Sequence, residues 1–110
     1  MPQPLLVLTS LPDLAGAQAL ARALVQQQLA ACVNILPAVQ SVYRWQGALE
    51  DAQEVALVIK TIEARYAELE LAIKLAHPYE LPEIIALPIV GGLPAYLAWI
   101  AAETRKDINI

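Results

Sequence analysis

Phenylalanine is absent from this chain, and histidine, cysteine and methionine occur once each in its 110 residues. A lone cysteine, Cys32, excludes an internal disulfide framework, and the N-terminus lacks the basic stretch and cleavage pattern of a secretory signal. The cytoplasm is therefore the expected compartment. Basic charge is scarce too: seven Lys and Arg stand against eleven Asp and Glu, a net charge of −4. A phosphate backbone would repel such a surface, so no nucleic-acid partner is expected.

Apolar residues make up 58% of the chain, above the roughly 45–50% of an ordinary soluble domain. Much of the surplus is alanine, which buries little area, and the remainder is what a subunit interface requires. One stretch imitates a membrane span. Residues 84–102 carry no charge, close to the roughly 20 residues that cross a bilayer as a helix. Pro88, Gly91, Gly92 and Pro94 interrupt its middle, so strand, turn and helix are expected there and no membrane partner.

Periodicity divides the rest, and the length suits one domain over residues 1–110. A continuous apolar run at 5–8 reads as a buried strand. Pro12 and Asp13 open a helix to about residue 29, with Ala17, Leu20, Ala21 and Leu24 on its inner face. From Cys32 to Trp45 the pattern alternates as a strand does, broken by Pro37. Gln46-Gly47 marks a hairpin turn, and Val55, Leu57 and Ile59 alternate in the returning strand. Thr61 is placed to cap a helix over about 62–76, which offers a Glu70 to Lys74 pair on its outer face. A strand over 84–90 and a helix from Pro94 complete the chain.

The order strand, helix, strand, strand, helix, strand is that of an α+β, ferredoxin-like split βαβ sandwich (βαββαβ), here with an extra C-terminal helix. That topology puts the second and fourth strands at the sheet edges. Proline is tolerated at edges and bulges only, and Pro37 and Pro88 fall in those two strands. A long bare edge over Cys32 to Trp45 invites pairing with a second copy of the chain. RNA-binding domains of the same topology expose aromatics on a basic sheet, which a chain of pI about 4.8 does not offer.

The fold names no function, so the site must. His77-Pro78-Tyr79-Glu80-Leu81-Pro82-Glu83 is the natural place to look, because histidine alone titrates unperturbed near neutral pH and two prolines stiffen the backbone around it. A structural role for His77 is also open, its ring bonding the last carbonyls of the preceding helix. Lys60 either ends its strand in solvent or reaches a cleft holding Glu80 or Glu83. Tyr43, Trp45, Tyr79, Tyr96 and Trp99 either roof that cleft or anchor an interface. Catalysis is not expected: the chain has no nucleophile beside a base, no phosphate-cradling glycine loop and no carboxylate pair at a diagnostic spacing.

Ala31-Cys32-Val33-Asn34, Ser41-Val42-Tyr43-Arg44-Trp45-Gln46-Gly47, Ile59-Lys60-Thr61, His77-Pro78-Tyr79-Glu80 with Pro82-Glu83-Ile84, and Tyr96-Leu97 with Trp99 closely resemble the CutA family of divalent-cation tolerance proteins. Five motifs in the family's order cover almost the whole chain. The resemblance implies a compact cytoplasmic homotrimer of ferredoxin-like subunits, PII-like in shape and linked to copper and other divalent metals. An inter-subunit cleft with Lys60, Tyr79, Glu80 and Glu83 as cofactor-binding residues is expected with it.

The metal link is thinner in this sequence than in copper-binding relatives. A closed copper or zinc site takes three or four N or S ligands, and the donors here are His77, then Cys32 and Met1. Relatives that resemble copper binders carry a cysteine at the end of the first strand and a second histidine before His-Pro-Tyr, where this chain has Thr9 and Ala76. Weak binding of Cu2+ or another divalent cation is the expectation, with His77 as ligand. Three functional readings follow: a metal-responsive trimer, a PII-like module sensing a metabolite or anion in the cleft, and a non-catalytic trimeric scaffold.

Overall fold

The computed structural model describes residues 2–105. Its elements are β1 (Pro4–Leu11), α1 (Leu14–Gln26), β2 (Cys32–Trp45), β3 (Ala48–Ile62), α2 (Tyr66–Ala76), β4 (Ile85–Pro88) and α3 (Pro94–Glu103). The four strands form one antiparallel sheet in the order β2-β3-β1-β4. β2 and β4 are thus the edges and hold Pro37 and Pro88, while Pro4 is the first residue of central β1, another place where a sheet tolerates proline. β1 is longer than its apolar run suggests, because its ladder with β3 continues through Ser10 and Leu11. β4 is shorter than expected, for only Ile85 to Pro88 pair with β1.

One face of the sheet carries the core. Val7, Leu57 and Ile59 pack against Leu20 and Leu24 of α1 and Leu69 and Ile73 of α2, all buried. Alternation then turns Leu6, Leu8, Ala56 and Val58 to the opposite face, where they are only half-buried. A smaller cluster of Ala31, Ile62 and Ile100 holds α3.

Local chemistry fixes the ends. Asp13 caps α1 by accepting the Gly16 N–H at 2.7 Å. Arg65 closes the other end of α1, donating to the carbonyls of Gln27 and Gln28 while pairing with Glu68 at 3.1 Å. A 3-10 turn, Glu63–Arg65, precedes α2. Thr61 does not cap it. Its hydroxyl lies in β3 on the core side and donates to the Leu29 carbonyl at 2.7 Å, satisfying an acceptor just past α1. Nor does Glu70 turn to Lys74; it accepts the Tyr66 hydroxyl at 3.1 Å.

The β2–β3 hairpin is the distinctive feature. Gln46 and Gly47 both have positive φ, 50° and 81°, as a two-residue turn of the primed type demands. At Pro37 and Ala38 the register shifts, two residues of β2 opposing one of β3, with Ala38 at φ 62°. This bulge accommodates the missing N–H of Pro37 and bends the ribbon. Beyond Val55, β3 pairs with β2 alone. The arm stretches the molecule to 49 Å, with a radius of gyration of 14.8 Å against about 13 Å for a compact chain of this length.

Replacing Thr61 by Val removes the donor and leaves the Leu29 carbonyl buried and unpaired, a loss of about 1–2 kcal/mol. Urea unfolding at fixed protein concentration measures it; no change would show that another donor reaches that carbonyl.

Candidate functional site

Pro78 forces His77 out of the helix, and the backbone there is extended, φ −83° and ψ 134°. The ring swings inward and is buried, 8% exposed. Its Nε2 lies 2.6 Å from the Ser10 carbonyl at the end of β1, and its Nδ1 accepts the Tyr79 N–H at 3.1 Å. A carbonyl only accepts and an amide N–H only donates, so this ring is neutral with its proton on Nε2. Helix carbonyls play no part. The imidazole instead ties the helix-to-strand corner to β1 and presents Tyr79, whose ring leans on its own at 4.8 Å.

From this tie Tyr79 reaches the root of the hairpin, where its hydroxyl donates to Glu54 Oε2 at 2.9 Å. Glu54 is 8% exposed. Burial of the phenol, then the hydrogen bond and charge of Glu54, with Tyr43 adding, push the Tyr79 hydroxyl up from 10.0 to about 12. A cleft of about 790 Å³ opens beside this pair, within the roughly 300–1,000 Å³ of small-molecule sites. Tyr43, Trp45 and Glu54 form its hairpin wall, and Tyr79, Glu80 and Glu83 the opposite one.

Of the residues read as a cleft from sequence, Tyr79, Glu80 and Glu83 come together. Lys60 does not join them within one chain. It stands six residues from Glu54 along β3, about 20 Å at strand rise, with its ammonium donating to Asn34 Oδ1 and lying 3.9 Å from Cys32 Sγ. Cys32 is a free, half-buried thiol there, and Tyr96 beside it has its hydroxyl raised by burial and then by Cys32. The aromatics split likewise: Tyr43, Trp45 and Tyr79 face the cleft, while Tyr96 and Trp99 stack at 5.5 Å on α3.

Glu54 is the site residue that sequence reading missed. Strict alternation in β3 would expose it if Val55 is buried, yet both are buried. They lie where the extra residue of β2 breaks the pleat. Pro37 was the signal, since a proline inside a strand marks an edge or a bulge.

The sheet order, the added helix and the ligand-sized cleft define an α+β protein of ferredoxin-like fold. Comparison with known proteins narrows this further. A model of the CutA1 divalent ion tolerance protein matches residues 5–103, and the chain belongs to that family. The divalent-cation tolerance protein CutA of Thermus thermophilus is 45% identical over 98 residues, 89% of this chain and 95% of the relative. Its solved structure superposes with a TM-score of 0.90, covering 92% of this chain and 98% of that one. The structure of the periplasmic divalent cation tolerance protein CutA of Archaeoglobus fulgidus gives 0.89 at 36% identity, covering 93% and 99%. The chloroplastic CutA of Arabidopsis thaliana is 41% identical over 93% of this chain, which spans just over half, 56%, of that longer protein.

A resident divalent ion does not fit these donors. In this hydrogen-bond arrangement both nitrogens of His77 are engaged, one by the Ser10 carbonyl and the other by the Tyr79 N–H. Among the described residues no three His, Cys, Asp or Glu side chains converge. Thr9 supplies only a buried hydroxyl without a hydrogen-bond partner, and Ala76 supplies nothing. Met1 lies outside the described residues.

A tyrosine whose folded pKa is raised favours the neutral phenol in the native state. Its stabilisation is complete below pH 10.0 and fades as pH climbs through about 12. The stability gap between wild type and Tyr79→Phe should therefore be constant at neutral pH and narrow from pH 10.0 to about 12, read from urea midpoints across that range. A gap that held constant there would break the Tyr79 to Glu54 link.

Proposed function

We propose that this protein serves divalent-cation tolerance as a cytoplasmic, non-catalytic homotrimer that takes a small ligand in the cleft beside Tyr79. The observation that carries the assembly is the projecting hairpin. A two-stranded ribbon alone in water is marginal at best, yet here Val42 is 62% and Leu49 74% exposed on it. The bare edges of β2 and β4, and apolar Ile85, Leu87 and Val90 exposed at or beside β4, call for the same covering. Three copies closing as a ring leave no edge open, which a chain with two unlike edges cannot achieve as a monomer.

The family's ion enters this proposal as something the trimer responds to or binds weakly, not as a built centre, because the donor set does not close around a metal. Compartment rests on the single free thiol, which needs no oxidising surroundings. Absence of turnover rests on the cleft, where the Ser10 and Ser41 hydroxyls meet no base among the described residues. No helix of the described residues is long and apolar enough to cross a membrane.

Sedimentation at micromolar concentration should give one species near three times the 11.9 kDa chain mass. A double Val42→Glu, Leu49→Glu variant should shift it toward monomer, since like charges then replace the surfaces that meet. A stable monomer of the wild-type chain would contradict the proposal.

A further inference from the structure

The reading of the cleft as a ligand site leaves the ligand's chemistry open, and the walls narrow it. Within one chain, three carboxylates, Glu54, Glu80 and Glu83, line the cleft, and among the described residues no lysine, arginine or histidine does. An anion would find only repulsion there. Glu54 carries the more specific signal. Its Oε2 takes the Tyr79 hydroxyl, while Oε1 meets no donor among the described residues. With a neutral phenol as its partner and no positive charge beside it, this half of the carboxylate is open to the cleft. A cation entering the cleft would supply that charge.

The shape of the site selects among cations. The carboxylates do not converge as a metal's ligands must, whereas a metal needs several oxygens within about 2.0–2.6 Å. Tyr79 touches Glu54, and the rings of Tyr43 and Trp45 line the same cleft farther along the hairpin. Aromatic faces attract ammonium and guanidinium groups and also pack an apolar body. We propose that the cleft between the hairpin root and the Tyr79 corner binds a small organic cation, an ammonium or guanidinium on an apolar body, with the charge on Glu54 and the body among the rings. This rests on the reading that the cleft is a ligand site. Glu80 and Glu83, at the exposed rim, add attraction at longer range.

The test uses the full-length, isotope-labelled protein and three probes of one shape: benzylammonium, benzyl alcohol and phenylacetate. The Trp45 indole N–H and the Tyr79 amide are the reporters. Benzylammonium should shift both saturably and bind at least about tenfold tighter than benzyl alcohol, with phenylacetate weakest. Glu54→Gln keeps an acceptor for Tyr79 and removes the charge; it should weaken benzylammonium about tenfold while leaving benzyl alcohol unchanged. Glu80→Gln, at the exposed rim, carries the test without disturbing the fold and should weaken the cation by a smaller factor in the same sense. Phenylacetate binding better than benzylammonium, or benzylammonium unaffected by either substitution, would overturn the cation assignment and leave the cleft standing as a ligand site. No response of either reporter to any probe would overturn both.

Discussion

One imidazole holds the working end of this molecule together. His77 is carried at the end of α2 by Pro78, donates to the last turn of β1 at Ser10, and accepts the amide of Tyr79. The two bonds have opposite polarity, which only a neutral ring with one protonated nitrogen satisfies. Everything downstream depends on that bridge: the corner turns toward the hairpin, Tyr79 meets Glu54, and the cleft acquires its second wall.

The hairpin sets the other constraint. Its outer part pairs only within the ribbon, and its root, at the Pro37 bulge, meets Tyr79 of the His77 corner through Glu54. The buried Glu54 lies at the same irregularity, beside the one surplus residue of β2. Fold and site are linked through that bulge. Meanwhile Lys60, Cys32, Asn34 and Tyr96 form a separate polar group about 20 Å along the same strand, close to α3 and outside the Tyr79 cleft of their own chain.

Much of this was legible from residue pattern. Alternation at Val55, Leu57 and Ile59, the α1 stripe of Ala17, Leu20, Ala21 and Leu24, and the element order give the topology, and Pro37 and Pro88 fall in its edge strands. Five motifs yield the family. What periodicity cannot carry is pairing at a distance: that Thr61 is drawn to the Leu29 carbonyl instead of a helix end, or that His77 meets Ser10, 67 residues away. Residue type likewise proposed a metal for His77, since an unpaired imidazole is a good ligand. In the fold both of its nitrogens are taken up by the backbone of Ser10 and Tyr79.

The central claim is that His77 is a structural bridge and not a metal ligand, and its ring nitrogens report this directly. Long-range proton–nitrogen spectra of the His77 imidazole, recorded as Zn2+ is added, should show the Nε2-protonated neutral tautomer before and after, with both nitrogen shifts unmoved. Loss of the Nε2 proton, or a zinc-dependent shift at either nitrogen, would contradict the account.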